Sequence, residues 1–148
     1  MVNLQLDTAI PQEIQQAIHQ AVRVALRHQA QDDTLDLSIR VTDDAALQVL
    51  NRTYLGIDAP TDVLSFPSGE VDPESGRPYL GDIAISYPRA CQQANAGGHA
   101  PLHEMQLLTV HGVLHLLGYD HATPEEKESM WQAQAQILEA LGCPLSPP

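Results

Sequence analysis

The sequence predicts an α+β fold: a single domain in which about four strands form a mixed sheet with helices packed against them. Three observations carry this. Short stretches such as "LDLSIRV" alternate apolar and polar residues with a period of two, as half-buried strands do. Longer stretches such as "PQEIQQAIHQAVRVALRHQ" repeat their apolar residues at helical spacing. The two kinds follow one another through 148 residues without a repeat, a low-complexity tract or a linker, and that length suits one core.

The elements can be justified in chain order. "VNLQLD" alternates weakly and reads as a short first strand. The helix that follows has Pro11 suited to its first turn, with Ile14, Ala17, Ile18, Ala21, Val22, Ala25 and Leu26 on one stripe. Leu35, Leu37, Ile39 and Val41 alternate in the second strand. Thr42 is expected to cap "DDAALQVLNRTYL", with Asp43 and Asp44 in the first turn and Gly56 beyond the end. After a turn at Pro60, Val63 to Phe66 form a strand, "PSGEVDPESGRP" a hairpin loop, and "YLGDIAIS" the return strand. A helix around "PRACQQANA" stops at Gly97 and Gly98. Pro101 to Leu117 make an apolar helix ended by Gly118. Thr123 and Glu126 then open a last helix as a capping box, with a stripe of Met130, Trp131, Ile137, Leu138 and Leu141 and a stop at Gly142.

Composition narrows the function classes. With 43% hydrophobic and 18% charged residues, disorder is excluded as the ground state of the chain. No run approaches the roughly 20 apolar residues of a membrane span, and "MVNLQLDTAI" lacks the pattern of a secretory leader, so a cytoplasmic address without membrane attachment is expected. Cys91 and Cys143 form no CxxC pair and read as free thiols. Nineteen acids against seven bases give a net charge of −12, a field that repels nucleic acid at long range. Any action on RNA then needs a local site or a protein partner.

One stretch demands a ligand. "HGVLHLLGYDH" holds three of the seven histidines in apolar surroundings, where each ring needs partners. His111 and His115 stand at i and i+4 on one helix face, and a turn at Gly118 brings His121 back toward them. Three neutral imidazoles leave a fourth position open, the pattern of a catalytic Zn²⁺ site. A bare HxxxH pair is commonplace, and three separately satisfied core histidines are the bland alternative; the third histidine after a glycine favours the metal. The spacing is also that of the metallopeptidase pattern HExxHxxGxxH, but Gly112 replaces its general-base glutamate, which argues against proteolysis.

The same stretch resembles the signature HGxLHLxGYDH of the YbeY-type rRNA maturation endoribonucleases of bacteria. "APTDVLSFP" (Ala59 to Pro67), "LGDIAIS" (Leu80 to Ser86) and "GHAPLHEMQLLTVHG" (Gly98 to Gly112) match it in family order, so the resemblance covers essentially the whole chain. It implies one α+β domain over residues 1–148 and one metal ion, usually zinc, on His111, His115 and His121. It further implies a single-strand-specific endoribonuclease that matures the 3′ end of small-subunit (16S) rRNA and serves ribosome quality control. The implied partners are single-stranded rRNA, the small ribosomal subunit and an assembly GTPase. In one place the chain departs from the pattern. The family's "LNxxYR" segment ends in an arginine implicated in cleavage, whereas "LNRTYL" puts Leu55 there. Arg52, three residues earlier on the same predicted helix, is the nearest surrogate for contacting phosphate; its plainer role would be an ion pair with Asp43 or Asp44.

Other residues stay open between two readings. Asp120 could orient an imidazole or cap the turn after Gly118. Asp82, in an otherwise apolar strand, could face the metal cleft or bond a neighbouring loop. Glu104 is explained by the helix dipole, His103 needs no role, and His19, His28 and His99 should face solvent. Arg40, Arg52 and Arg89 could form a small basic rim or simple salt bridges. The chemistry expected is metal-assisted phosphodiester hydrolysis, with an arginine steadying transition-state charge. A zinc-containing assembly factor without activity is the rival, and Leu55 and the acidic charge speak for it.

Overall fold

Alternation along the second strand decides the layering. In the computed structural model, which describes residues 1–145, Leu37, Ile39 and Val41 are fully buried while Ser38 and Arg40 turn to the opposite face. Four strands, β1 (Val2–Leu6), β2 (Asp36–Thr42), β3 (Val63–Pro67) and β4 (Tyr79–Ser86), form one sheet in the order β1-β2-β4-β3. β1 and β4 run parallel to β2, and β3 runs antiparallel to β4, so the sheet is mixed as expected. Ile39 pairs with Ile83, and Val63 with Ile85, which puts the β-branched residues of β2 and β4 on one face.

That face is covered by three helices: α1 (Gln12–His28), α4 (Pro101–Leu116) and α5 (Pro124–Ala140). α4 lies innermost, touching β3, β4, α1 and α5, and even its Gln106 and Thr109 are buried. α2 (Asp44–Leu55) lies against β3 and β4. Its Leu47 is buried apart from the main core, and its Leu50 and Tyr54 line a hollow with Ala84 of the outer sheet face. α3 (Tyr87–Gly97) links β4 to α4.

Two helix starts differ from expectation. Thr42 ends β2, and Asp43 caps α2, its carboxylate accepting from Ala46 N at 2.9 Å. An extended Asp43 backbone places its short acceptor over the first free N–H groups, which Thr42, still paired in the strand, cannot reach. Pro11 precedes α1 as its cap residue, and its carbonyl accepts from Ile14 and Gln15. Thr123 accepts from Glu126 N at 3.2 Å, the expected start of α5. Cys91 and Cys143 are both free thiols. No helix among the described residues is long and apolar enough to cross a membrane.

Candidate metal centre

The end of α4 shapes the site. Gly118 takes φ 101°, its N–H bonding His115 O at 3.1 Å, while Tyr119 N–H bonds Leu114 O at 3.0 Å. This is a Schellman closure, and it folds the chain back over the last turn of the helix. His111, His115 and His121 are thereby gathered, with a nitrogen from each within 4.8 Å of the others. Their rings stand 4.6 to 5.9 Å apart, centre to centre. Trp131 of α5 meets the rings of His111 and His121 edge-on.

Proton positions follow from the partners. His115 Nδ1 lies 2.8 Å from the carbonyl of Tyr119, which can only accept, so Nδ1 carries the hydrogen and Nε2 presents a lone pair. His111 Nδ1 lies 2.9 Å from Gln134 Oε1 and is held in the same way. The two Nε2 atoms are 3.0 Å apart. Two lone pairs at that separation repel, and a cation between them turns the repulsion into coordination. Tetrahedral zinc with Zn–N near 2.0–2.1 Å puts two ligand nitrogens about 3.3 Å apart. The donor set fits a metal ion with a shift of a few tenths of an ångström for this pair.

Electrostatics keep His111 and His115 in the state that metal ligation requires. Burial and then the neighbouring His115 lower the pKa of His111 to about 4, against the opposing bond to Gln134. Burial also lowers that of His115. Both rings are neutral at neutral pH, as metal ligation requires. Asp62 reaches the same cleft. Its carboxylate accepts from Val63 N at 2.8 Å and from Gln93 Nε2 at 3.3 Å. With Asp62 and Asp120 on its rim, the cleft without a cation repels phosphate.

Gly112 has a structural reason. A Cβ there would lie 3.0 Å from both Cδ1 and Cγ2 of Ile83 on β4. Its carbonyl accepts from Ser65 of β3 at 3.2 Å. The position that carries glutamate in metallopeptidases therefore faces the sheet here, with no space for that side chain.

The remaining candidates fall into place. Asp120 accepts from the backbone of His121 at 2.7 Å, so it caps the turn. Asp82 pairs with Ile39's neighbour Ser38 on the face away from the core and bonds Tyr79 of its own strand, so it faces neither the metal cleft nor a neighbouring loop. Its alternation with the buried Ile83 dictates this. Glu104 is buried, with His99 Nε2 2.9 Å from Oε1. His99 is accordingly half-buried, unlike the exposed His28, and His19 is half-buried too. Of the two readings of the arginines, simple salt bridges hold: Arg40 pairs with Asp7, Arg89 with Asp44 and Arg52 with Asp58, the last at 3.6 Å. Arg52 pairs with neither Asp43 nor Asp44, because the first caps α2 and the second is engaged by Arg89 and Ser86. Leu55, one turn further along α2, lines the cleft with the three histidines.

Comparison with known proteins bears on this geometry. A family model described as "Endoribonuclease YbeY" matches residues 1–142. The chain belongs to the YbeY family. The YbeY of Roseiflexus sp. strain RS-1 is 47% identical over 131 residues, covering 84% of this chain and 82% of its own. That of Chloroflexus aurantiacus is 43% identical over 150 residues, covering 97% and 96%. Both bear the name endoribonuclease. The solution structure of TM1509 from Thermotoga maritima covers 95% of this chain and 91% of its own with a TM-score of 0.59; at 21% identity it shows a shared fold.

Sequence reasoning missed Gln134 and Asp62 in this YbeY site. Gln134 sits among Met130, Ala133, Ile137 and Leu138 on the buried stripe of α5, and a polar residue on such a stripe was the available signal.

Proposed function

We propose that this protein is a zinc-dependent, single-strand-specific endoribonuclease that matures the 3′ end of small-subunit rRNA and serves ribosome quality control in the cytoplasm. The observation that carries it is the pair of Nε2 lone pairs 3.0 Å apart, each fixed by an acceptor on Nδ1. His111, His115 and His121 would hold the ion; the cluster counts no fourth side chain among the described residues, as in catalytic rather than structural zinc sites. Zinc, when bound, supplies water activation near neutral pH and withdraws charge from a phosphoryl oxygen. Gln134 and the Tyr119 carbonyl hold the two ligand rings in place, and Trp131 packs edge-on against the rings of His111 and His121. Arg52 is assigned to the phosphate. It is 57% exposed on α2, and releasing it from Asp58 costs less than about 1 kcal/mol, as exposed pairs do.

The net charge of −12 leaves isolated RNA weakly held, so the small ribosomal subunit and an assembly GTPase are read as the partners that deliver substrate. A second reading, an assembly factor without activity, is favoured by Leu55 standing in a cleft that no lysine or arginine lines among the described residues. Purified protein should carry about one Zn²⁺ per chain, lost in His115→Ala with the fold retained. It should cut single-stranded RNA, stop on chelation and leave casein intact. Zinc retained in His115→Ala refutes the ligand set; zinc bound without RNA cleavage selects the assembly factor.

A further inference from the structure

Beside the histidine cluster lies a second concavity of about 360 Å³, within the range of small-molecule sites. It shares Asp62, Val63 and His111 with the metal cleft, so a chain crossing one reaches the other. Leu107, Leu108 and Trp131 give it an apolar wall, while Gln134 and Glu104 line it with polar groups.

Gln134 is 1% exposed, and its Nε2 has no hydrogen-bond partner. An orphaned buried donor costs about 1–3 kcal/mol, a cost that a ligand acceptor removes. The orientation of this amide is not free. A cation on His111 Nε2 keeps the proton on Nδ1, which requires Oε1 to face the ring and turns Nε2 away from it. Glu104, 5% exposed on the same cavity, meets His99 through Oε1, and a carboxylate accepts at both oxygens. The cavity therefore sets the Gln134 amide donor and the Glu104 carboxylate beside an apolar wall, with Asp62, Gln93 and His99 completing its polar lining.

We propose that this cavity is a nucleobase subsite for a nucleotide adjoining the cut phosphate, and that it selects guanine. The inference rests on the endoribonuclease reading above. Guanine carries on one edge an acceptor, O6, followed by two donors, N1–H and N2–H. Gln134 Nε2 matches the first, and the Glu104 carboxylate takes the other two together. Adenine and cytosine place an amino donor where O6 would be, and uracil lacks the second donor. None of the three completes the match.

Trp131 is the protein's single tryptophan, so its fluorescence reports this cavity directly. Zinc-loaded full-length protein is titrated with the 5′-monophosphates of guanosine, adenosine, cytidine and uridine. Guanosine monophosphate should bind at least tenfold more tightly than the other three. Glu104→Gln, which sets a donor against guanine's donors, should bring it level with them while zinc content stays unchanged. Equal binding of all four nucleotides, or no fluorescence change with any, overturns the subsite whether or not the variant folds. So does guanine preference surviving in a folded Glu104→Gln. RNA cleavage by the same preparation scores the parent reading separately. Active protein without base preference sinks the subsite alone, and guanine-selective binding without cleavage sinks only the nuclease.

Discussion

Gln134→Leu should separate metal affinity from fold stability. In the wild type the side chain does two opposed things: Oε1 satisfies His111 Nδ1–H, and Nε2 is buried without a partner. Leucine removes both. Losing the acceptor strands the His111 proton, at about 1–3 kcal/mol, while deleting the orphan donor returns a similar amount. The volume is nearly conserved, so packing adds less than about 1.5 kcal/mol. The melting temperature should therefore move by only a few degrees. Zinc affinity should not escape. His111 loses the bond that fixes its tautomer and ring, and losing such a partner typically weakens a metal about 10- to 100-fold, or roughly 1.4–2.7 kcal/mol. Competition with a chromogenic chelator gives the affinity, and thermal denaturation of the metal-free protein gives the stability. An affinity within threefold of wild type would refute the role given to Gln134, and so would a loss of zinc fully explained by unfolding.

Acid should destabilise the metal-free protein: the folded pKa of His111, about 4, lies below its ordinary 6.5, so the unfolded chain binds more protons between them. Stability is then full above about pH 6.5 and falls toward pH 4; urea midpoints that stay flat across this window would contradict the burial argument. Gly112→Ala gains about 1 kcal/mol of helix propensity but drives a methyl against Ile83, at about 1–3 kcal/mol. It should lower stability overall, with partial recovery on adding Ile83→Val, and a variant as stable as wild type would show that α4 can retreat from the sheet. Leu55→Arg should speed cleavage of single-stranded RNA, and Arg52→Ala should slow it by about one to three orders of magnitude. If neither changes the rate at fixed salt and zinc, no arginine limits the reaction.

The strands and helices were legible because each rests on a local pattern. The alternation of Leu37, Ile39 and Val41 names the buried face of β2 without reference to any other part of the chain. His111, His115 and His121 were legible for the same reason, since a helical period and a glycine turn bring them together. What escaped depends on contacts distant in sequence. Gln134 lies 23 residues from His111, and nothing in α5 alone says which ring its amide meets. The pairing of Arg52 with Asp58 rather than Asp43 or Asp44 turns on other partners claiming those acids first, one of them Arg89, 45 residues away. Asp82 was misjudged because its strand looked apolar throughout, although alternation alone would have sent it to the outer face.

Tyr119 joins two functions in one residue. Its N–H closes the end of α4 on Leu114, and its carbonyl holds the proton of His115. Fraying of that last turn and release of an ion held there would be a single event viewed from opposite ends. A metal held by the three histidines would act as a clasp on the helix terminus, and slow hydrogen exchange at the amides of Gly118 and Tyr119 would gauge its occupancy. The loop that carries His121 would share that clasp, so starving the protein of metal should first loosen this segment and leave the sheet intact.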